Sequence, residues 1–363
     1  MKKNLYLHIG LPKTGTSAIQ KFLVDNYEKL KNEYNLYYPD FGRWVDGSHH
    51  EIAFALSPNP YKTMKGHNEQ LAYLKELEQK IINSKCSNIL LSSECFHLYN
   101  NDNFINQFAK HYNVKIICYL RRQDAFLESI YKQEVQDIVF KENRSFQQYK
   151  DAKKERLYYF AFLKRWEKLT SPDNIIIKNF DTQQFVNQNI IDDFLSIFSI
   201  ENDEQKFILT KEKVNVGFSR NVTEYKLLLN SILTNQTNEL VHILHLYSSR
   251  EFGNGDRTVA LSFMTNEERE KLLTEFEEDR NCIIERYCTG ETSLFNNKMP
   301  QEKNSYSGLS REKILSMTKF IYDRKKEIVQ EIYENCLNNK NDDALVLSAI
   351  ELLYPAVNEV ING

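Results

Sequence analysis

The chain has 363 residues, more than one hydrophobic core usually supports, so one large domain with an appendage, or two domains, is the expectation. Hydrophobic residues make up 41% and aromatic residues 12%, ample for a packed core, while a formal net charge of -3 gives no general attraction to nucleic acid or an anionic membrane. Any anion site must be built locally, and a protein acting through a broad basic surface is excluded.

From residue 4 to about 200, short apolar runs alternate with amphipathic stretches, the pattern of strands feeding helices and hence of a parallel α/β sheet. NLYLHIG from residue 4, NILLSSE from 88, VKIICYLRR from 114 and NIIIKNFD from 174 read as strands, each ending in polar or charged residues. Ligands gather beyond the carboxyl ends of such strands. Between them, SAIQKFLVDNYEKLKNEY from residue 17 and QFVNQNIIDDFLSIF from 184 repeat their apolar residues at three and four, as helices with one buried face require.

Beyond residue 200 the pattern is mostly helical. Thr265 and Glu268 have capping-box spacing and open a helix running to about Tyr287. Residues 294–310 are turn-rich and read as a linker. Ile314, Met317, Ile321, Ile328 and Ile332 then form a helical stripe, and DDALVLSAIELLY from residue 342 makes a further helix with an Asp cap. The expected organisation is an α/β domain over residues 1–295, then a linker and helical extension over 296–363 that docks on it or forms a homodimer contact.

The start, MKKNLYLHIG, meets polar residues and a glycine before any long apolar core, unlike a signal peptide, and no apolar run approaches the ~20 residues that span a bilayer. Cys86, Cys95, Cys118, Cys282, Cys288 and Cys336 show neither a C-x-x-C pair nor metal-ligand spacing. A cytoplasmic protein with reduced, buried thiols and no transmembrane segment is expected.

The chemistry starts at residues 8–22, HIGLPKTGTSAIQKF. Set on the nucleotide pattern G-x-x-x-x-G-K-[ST], Gly10, Gly15 and Ser17 fall in place, but Thr16 stands where the lysine belongs and Lys13 lies three residues early. A glycine-bracketed turn from strand to helix aims backbone N–H groups at one spot, and the helix N-terminus adds about half a positive charge, so a phosphate is held. Without the usual lysine, a polyphosphate nucleotide loses its main cation. Lys13 instead stands at the loop mouth, where charge develops if a group leaves the held phosphate. Transfer of one anionic group from a nucleotide monophosphate, with no metal required, fits this layout.

The run IGLPKTGTSAIQ resembles the 5'-phosphosulfate loop of sulfotransferases that use 3'-phosphoadenosine 5'-phosphosulfate (PAPS), particularly bacterial and carbohydrate-modifying members. The resemblance implies a P-loop-type fold, PAPS as donor and adenosine 3',5'-bisphosphate as product. It implies Lys13 as the catalytic contact to the leaving oxygen, and Thr14, Gly15, Thr16 and Ser17 as the 5'-phosphate cradle. It further implies an acceptor hydroxyl or amine, on a glycan, a cell-surface glycan precursor or another small molecule.

The donor's 3'-phosphate demands its own cation and hydroxyl. In ICYLRRQDAFLESIYKQ, residues 117–133, Arg121 ends a strand and Ser129 follows eight residues later in a helix that Asp124 can cap. An arginine with a helix hydroxyl is a sound clamp for a dianion, and this spacing resembles the family's 3'-phosphate motif. Arg122 is the alternative partner, although the spacing favours Arg121.

A general base must reach the acceptor. Glu94, after the strand NILLSS, is one candidate, and an S-S-E ending resembles bacterial members. The other is the pair His49 and His50, with His50 ahead, since imidazole titrates near neutrality. His8, inside the first strand, reads as a satisfied core histidine, and His242 with His245 lack a third ligand, so no metal site is expected. Lys213, Asn215 and Ser219 lie in a segment that resembles a later family region and approach the nucleotide or acceptor, or form an ordinary loop before a helix. Two rival functions remain: an ATP- and magnesium-dependent kinase with a permuted lysine, and a non-catalytic nucleotide-binding module.

Overall fold

The computed structural model describes residues 2–56, 67–98, 106, 108–202, 206–209, 217–253, 262–288, 290–296, 298–299, 306, 308–339 and 343–363. The four expected strands form as β1 (Asn4–His8), β3 (Asn88–Ser92), β4 (Asn113–Leu120) and β5 (Ile175–Asn179), and a two-residue strand, β2 (Leu36–Tyr37), joins them. They make one sheet in the order β2-β3-β1-β4-β5 with every pairing parallel. The Leu- and Ile-rich runs suit it because parallel strands are covered on both faces, and Leu5, Leu7, Ile89, Leu91, Ile116 and Ile117 are all buried. From β1 the chain goes to the edge strand β2, returns through β3 beside β1 and then crosses to β4 on the other side, so the switch point at which such sheets bind ligands lies beyond the carboxyl end of β1.

The helices over the first two hundred residues are α1 (Thr16–Asp25), α2 (Tyr27–Tyr34), α3 (His50–Leu56), α4 (His67–Asn83), α5 (Gln123–Gln136), α6 (Phe146–Lys153), α7 (Tyr159–Trp166) and α8 (Ile190–Ser196). Then come α9 (Arg220–Ile232), α10 (Asn238–Gly253), α11 (Asn266–Glu275), α12 (Glu277–Tyr287), α13 (Arg311–Tyr322), α14 (Lys326–Leu337) and α15 (Ala344–Asn362).

Three helices expected to be continuous are shorter. The one starting at residue 17 breaks at Asn26, whose buried side-chain amide donates to the Phe22 and Ile208 carbonyls and accepts from the Ile208 N–H, so it bridges the end of the helix to a neighbouring segment. The stretch from residue 184 makes a 3-10 turn at Val186–Gln188 and becomes α-helical only at Ile190, capped by the Asn189 side chain. The helix opened by the Thr265–Glu268 capping box, which forms as expected, stops at Glu275 and resumes beyond the buried Phe276.

Two compact units result: Met1–Gln123 with Arg156–Glu212 and Thr274–Lys298, and Asp124–Glu155 with Lys213–Leu273 and Met299–Gly363. The first holds the sheet. Its core includes Tyr6, Ile19, Leu23, Leu90, Ile117 and Phe194. Asp279 bonds the Tyr159 and Phe160 amides at the start of α7, tying α12 to this unit.

The second unit is helical. Residues read in the sequence as an extension after 295 share one core with α9 and α10: Ile314, Met317, Ile321 and Ile332 pack with Val222, Tyr225, Leu229 and Leu244. Asp343 caps α15 as an Asp was expected to, through the Leu345 N–H. By length and composition α15, with 19 residues, is the one described helix that could cross a membrane, although no run near that length was expected. Its Val346, Ala349, Leu353, Ala356 and Val357 are buried in the unit's core. Asp124, expected as a helix cap, lies within the first turn of α5, and its fully buried carboxylate pairs with Arg269, which also bonds Glu128.

Candidate active site

The loop between β1 and α1 is built as a cradle. Gly15 is the N-cap of α1 with φ +76°, a left-handed conformation that favours glycine, and no side chain caps the helix. A Cβ on Gly15 would stand 2.2 Å from Ile190 Cδ1 and 2.8 Å from Phe180 Cε2, so the position is closed to side chains. One on Gly10 would meet Thr16 Cγ2 at 2.5 Å. With no acidic residue in its first turn, the N-terminus of α1 presents its positive end to the loop. The buried Thr14 hydroxyl donates to the Leu11 carbonyl at 2.6 Å and locks the turn.

Lys13, also at positive φ (65°), is exposed as a residue. Loss of water around its ammonium, and then the neighbouring Arg121 guanidinium, lower its pKa, while the Glu94 carboxylate acts in the opposite direction. Arg121 leaves the end of β4, donates to the Lys13 carbonyl at 3.2 Å and stands over the Phe180 ring at 5.4 Å. The Tyr159 hydroxyl holds the Arg121 carbonyl at 2.9 Å. Arg122, the alternative, donates to the Asn296 and Lys298 carbonyls at 2.9 and 3.0 Å and so anchors a backbone segment.

Glu94 follows β3 and accepts from the Thr16 hydroxyl. Burial, then the Asp46 carboxylate, push its pKa from the ordinary 4.5 up to about 7 against the pull of the Lys13 ammonium. A carboxylate poised there is suited to take a proton near neutrality. Thr16 is nearly buried, whereas Ser17 is exposed.

The two histidines at the start of α3 separate by role. His49 is fully buried, donates from Nε2 to the Pro39 carbonyl at 2.8 Å and accepts the Ser92 N–H on Nδ1 at 3.1 Å. A carbonyl only accepts and an amide only donates, so its tautomer follows, and burial holds its pKa down to about 3. His50 pairs Nδ1 with Ser93 Oγ at 2.7 Å and places Nε2 3.9 Å from Asp46 Oδ2. His8 is buried with a pKa lowered to about 3 by desolvation. Its Nδ1 pairs with Ser92 Oγ, but Nε2 meets no partner among the described residues, so it is a core histidine only half satisfied.

Thus Lys13, Thr14, Gly15, Thr16, Ser17, Glu94, His50 and Arg121 all belong to the first unit, at the carboxyl edge of the sheet around β1. Ser129 lies in the second turn of α5 and belongs to the second unit. Ser219 is buried as the N-cap of α9, accepting from the Val222 N–H and donating to Glu251, which is a structural role and removes it from nucleotide or acceptor contact. Lys213 and Asn215 lie outside the described residues. Among the described residues no group of three or more His, Cys, Asp or Glu stands ready for a metal ion, and all six cysteines are free thiols.

Sequence reasoning passed over Asp46, Ser93 and Trp44. Asp46 and Ser93 orient His50, and Asp46 perturbs Glu94; the turn signal Asp46-Gly47-Ser48, just before the histidine pair, marked the spot.

No protein-family model matches the chain. It is similar to an uncharacterized protein of Archaeoglobus fulgidus, with 28% identity over 279 residues that cover 74% of this chain and 70% of that protein.

Proposed function

We propose that the chain is a PAPS-dependent sulfotransferase. The observation that carries this reading is the grouping of Lys13, Glu94 and Arg121 about one glycine-bracketed loop, in which the cation stands at the loop mouth and a carboxylate of pKa about 7 faces Thr16. The cradle fits a phosphate: two glycine positions closed to a Cβ and a helix N-terminus without a side-chain cap. PAPS, as substrate, supplies a sulfuryl group on its 5'-phosphate oxygen.

Backbone amides of Thr14, Gly15, Thr16 and Ser17 hold the 5'-phosphate, and Lys13 neutralises the oxygen that leaves with it. Glu94 or His50 takes the proton from the acceptor hydroxyl as its oxygen forms the bond to sulfur and the bond from sulfur to the 5'-phosphate oxygen breaks, releasing adenosine 3',5'-bisphosphate. Arg121 pairs with the 3'-phosphate as a fork of donors. A carbohydrate acceptor follows from the same resemblance.

One feature favours a magnesium-dependent kinase instead: Glu94, beyond the strand beside β1, stands where a metal-holding carboxylate of nucleoside triphosphatases is found. Thermal stabilisation by adenosine 3',5'-bisphosphate, 5'-AMP and ATP, each with and without magnesium, separates the two. At ~100 times the dissociation constant a ligand adds about 2.7 kcal/mol. Stabilisation by the bisphosphate in preference to AMP, independent of magnesium, supports the sulfotransferase; stabilisation by ATP with magnesium alone overturns it.

A further inference from the structure

The turn between Pro39 and His50 is fixed far more firmly than an exposed loop requires. Trp44 N–H donates to the Ser48 carbonyl at 2.8 Å and Gly47 N–H to the Trp44 carbonyl at 2.9 Å. Asp46 Oδ1 accepts both the Ser48 N–H and hydroxyl, at 2.9 and 2.6 Å, and Tyr38 donates its hydroxyl to the Gly47 carbonyl at 2.7 Å. Gly47, at φ +87°, packs so closely that a Cβ would stand 2.7 Å from Val24 Cγ2. His49, bonded through both ring nitrogens, pins the end of the turn to β3.

This rigid turn holds a large apolar ring out in water. Trp44 is 47% exposed, and Val45 beside it is wholly exposed. The chain has two tryptophans, and the other, Trp166, is completely buried. The Trp44 indole meets the His50 imidazole edge to face at 4.9 Å, and His50 is in turn held by Ser93, next to Glu94. Asp46, half-exposed, has Oδ1 committed to the turn and Oδ2 facing His50 at 3.9 Å. An aromatic plate, an acceptor carboxylate and both candidate bases thus lie in one string.

We propose that Trp44 and Asp46, with His50, form the acceptor subsite of the transferase reading, and that its occupant is a neutral sugar ring. An indole offers a broad face to the C–H side of a ring, and rigid presentation lowers the ordering cost of binding. The Asp46 carboxylate accepts only, so it selects a ligand with several hydroxyl donors at its rim; a phenol brings one. The same negative charge on Asp46 repels uronic or already sulfated rings. The imidazole at the plate's edge then lies beside the bound ring's hydroxyls.

The two tryptophans make the test direct. Acrylamide quenches the exposed Trp44 and spares Trp166. Wild-type protein is titrated to 100 mM with neutral hexoses, N-acetylhexosamines and their disaccharides, with glucuronic acid as the anionic probe, while adenosine 3',5'-bisphosphate binding is measured separately. The expected result is saturable protection of Trp44 by at least one neutral saccharide and none by glucuronic acid. Calorimetry on variants then shows saccharide affinity kept within a few-fold in Trp44→Phe, lost about tenfold or more in Trp44→Ala, and glucuronic acid admitted by Asp46→Asn. Bisphosphate affinity stays unchanged in all three. If no neutral saccharide protects Trp44, or Trp44→Ala binds saccharide as wild type does, the subsite is refuted while the donor reading stands on its bisphosphate result. Saccharide protection without bisphosphate binding retains the subsite and removes the sulfotransferase.

Discussion

Glu94→Gln tests the electrostatics of the site through stability alone. Glutamine keeps the shape and can still accept the Thr16 hydroxyl, but it cannot ionise. In the folded chain Glu94 holds its proton to about pH 7, against 4.5 ordinarily, chiefly because it is buried and secondarily because Asp46 is near. Between those values the folded state binds one proton more than the unfolded chain, so wild-type stability falls as pH rises. At about 1.36 kcal/mol for each pH step, the loss from pH 4.5 to above 7 is on the order of 3 kcal/mol. Urea midpoints of wild type and variant from pH 4.5 to 8.5 isolate this group, because other titrations are common to both. The variant gains on wild type by about 3 kcal/mol across that range, most of it below pH 7. Parallel profiles would refute the burial and charge argument for Glu94.

Asp46→Asn removes the carboxylate that raises the Glu94 pKa; if Glu94 is the base, the rising limb of kcat/KM against pH moves to lower pH, and an unmoved limb assigns it to another group. Gly15→Ala forces a Cβ onto a φ of +76° and into Ile190 and Phe180, so melting should show a loss of about 1–3 kcal/mol together with loss of bisphosphate binding. In the second unit, Lys226 is buried, donates to the Val135 carbonyl and Asn230 Oδ1, and has its pKa lowered by burial from 10.5 to about 7. The unfolded chain then binds the extra proton between pH 7 and 10.5, so wild-type stability rises over that window, and Lys226→Met should abolish the rise in urea titrations. Its two acceptors keep other donors, Asn230 Nδ2 on the Val135 carbonyl and Gln236 Nε2 on Asn230 Oδ1, so the variant remains folded.

The sheet and the glycine-bracketed loop after β1 were legible because both are local. Four apolar runs of strand length and a glycine pair spaced between strand and helix speak for themselves; Glu94 and Arg121 were read just past strand ends, and Lys13 in the loop that follows β1. A two-residue strand such as Leu36–Tyr37 is too short to carry a period, so β2 was missed. The helix breaks at Asn26 and Phe276 were hidden because apolar spacing runs through both, while what ends the helix at Asn26 is a bond to Ile208, 182 residues away. The same holds for residues 311–362, whose apolar stripes announce burial without saying that residues 218–247 cover them. In the site, the histidine pair was noticed, but separating His49 from His50 needed their bonding partners, Pro39 and Ser92 for one and Ser93 for the other.

PAPS turnover with water as acceptor tests the central claim most directly, because it needs no knowledge of the true acceptor. Wild-type protein incubated with PAPS in the presence of EDTA should slowly release sulfate and adenosine 3',5'-bisphosphate in equal amounts. Lys13→Ala should bind the bisphosphate yet release neither product, since Lys13 is assigned to the leaving oxygen. Sulfate release that is absent from wild type, or equal in Lys13→Ala and wild type, would contradict the account.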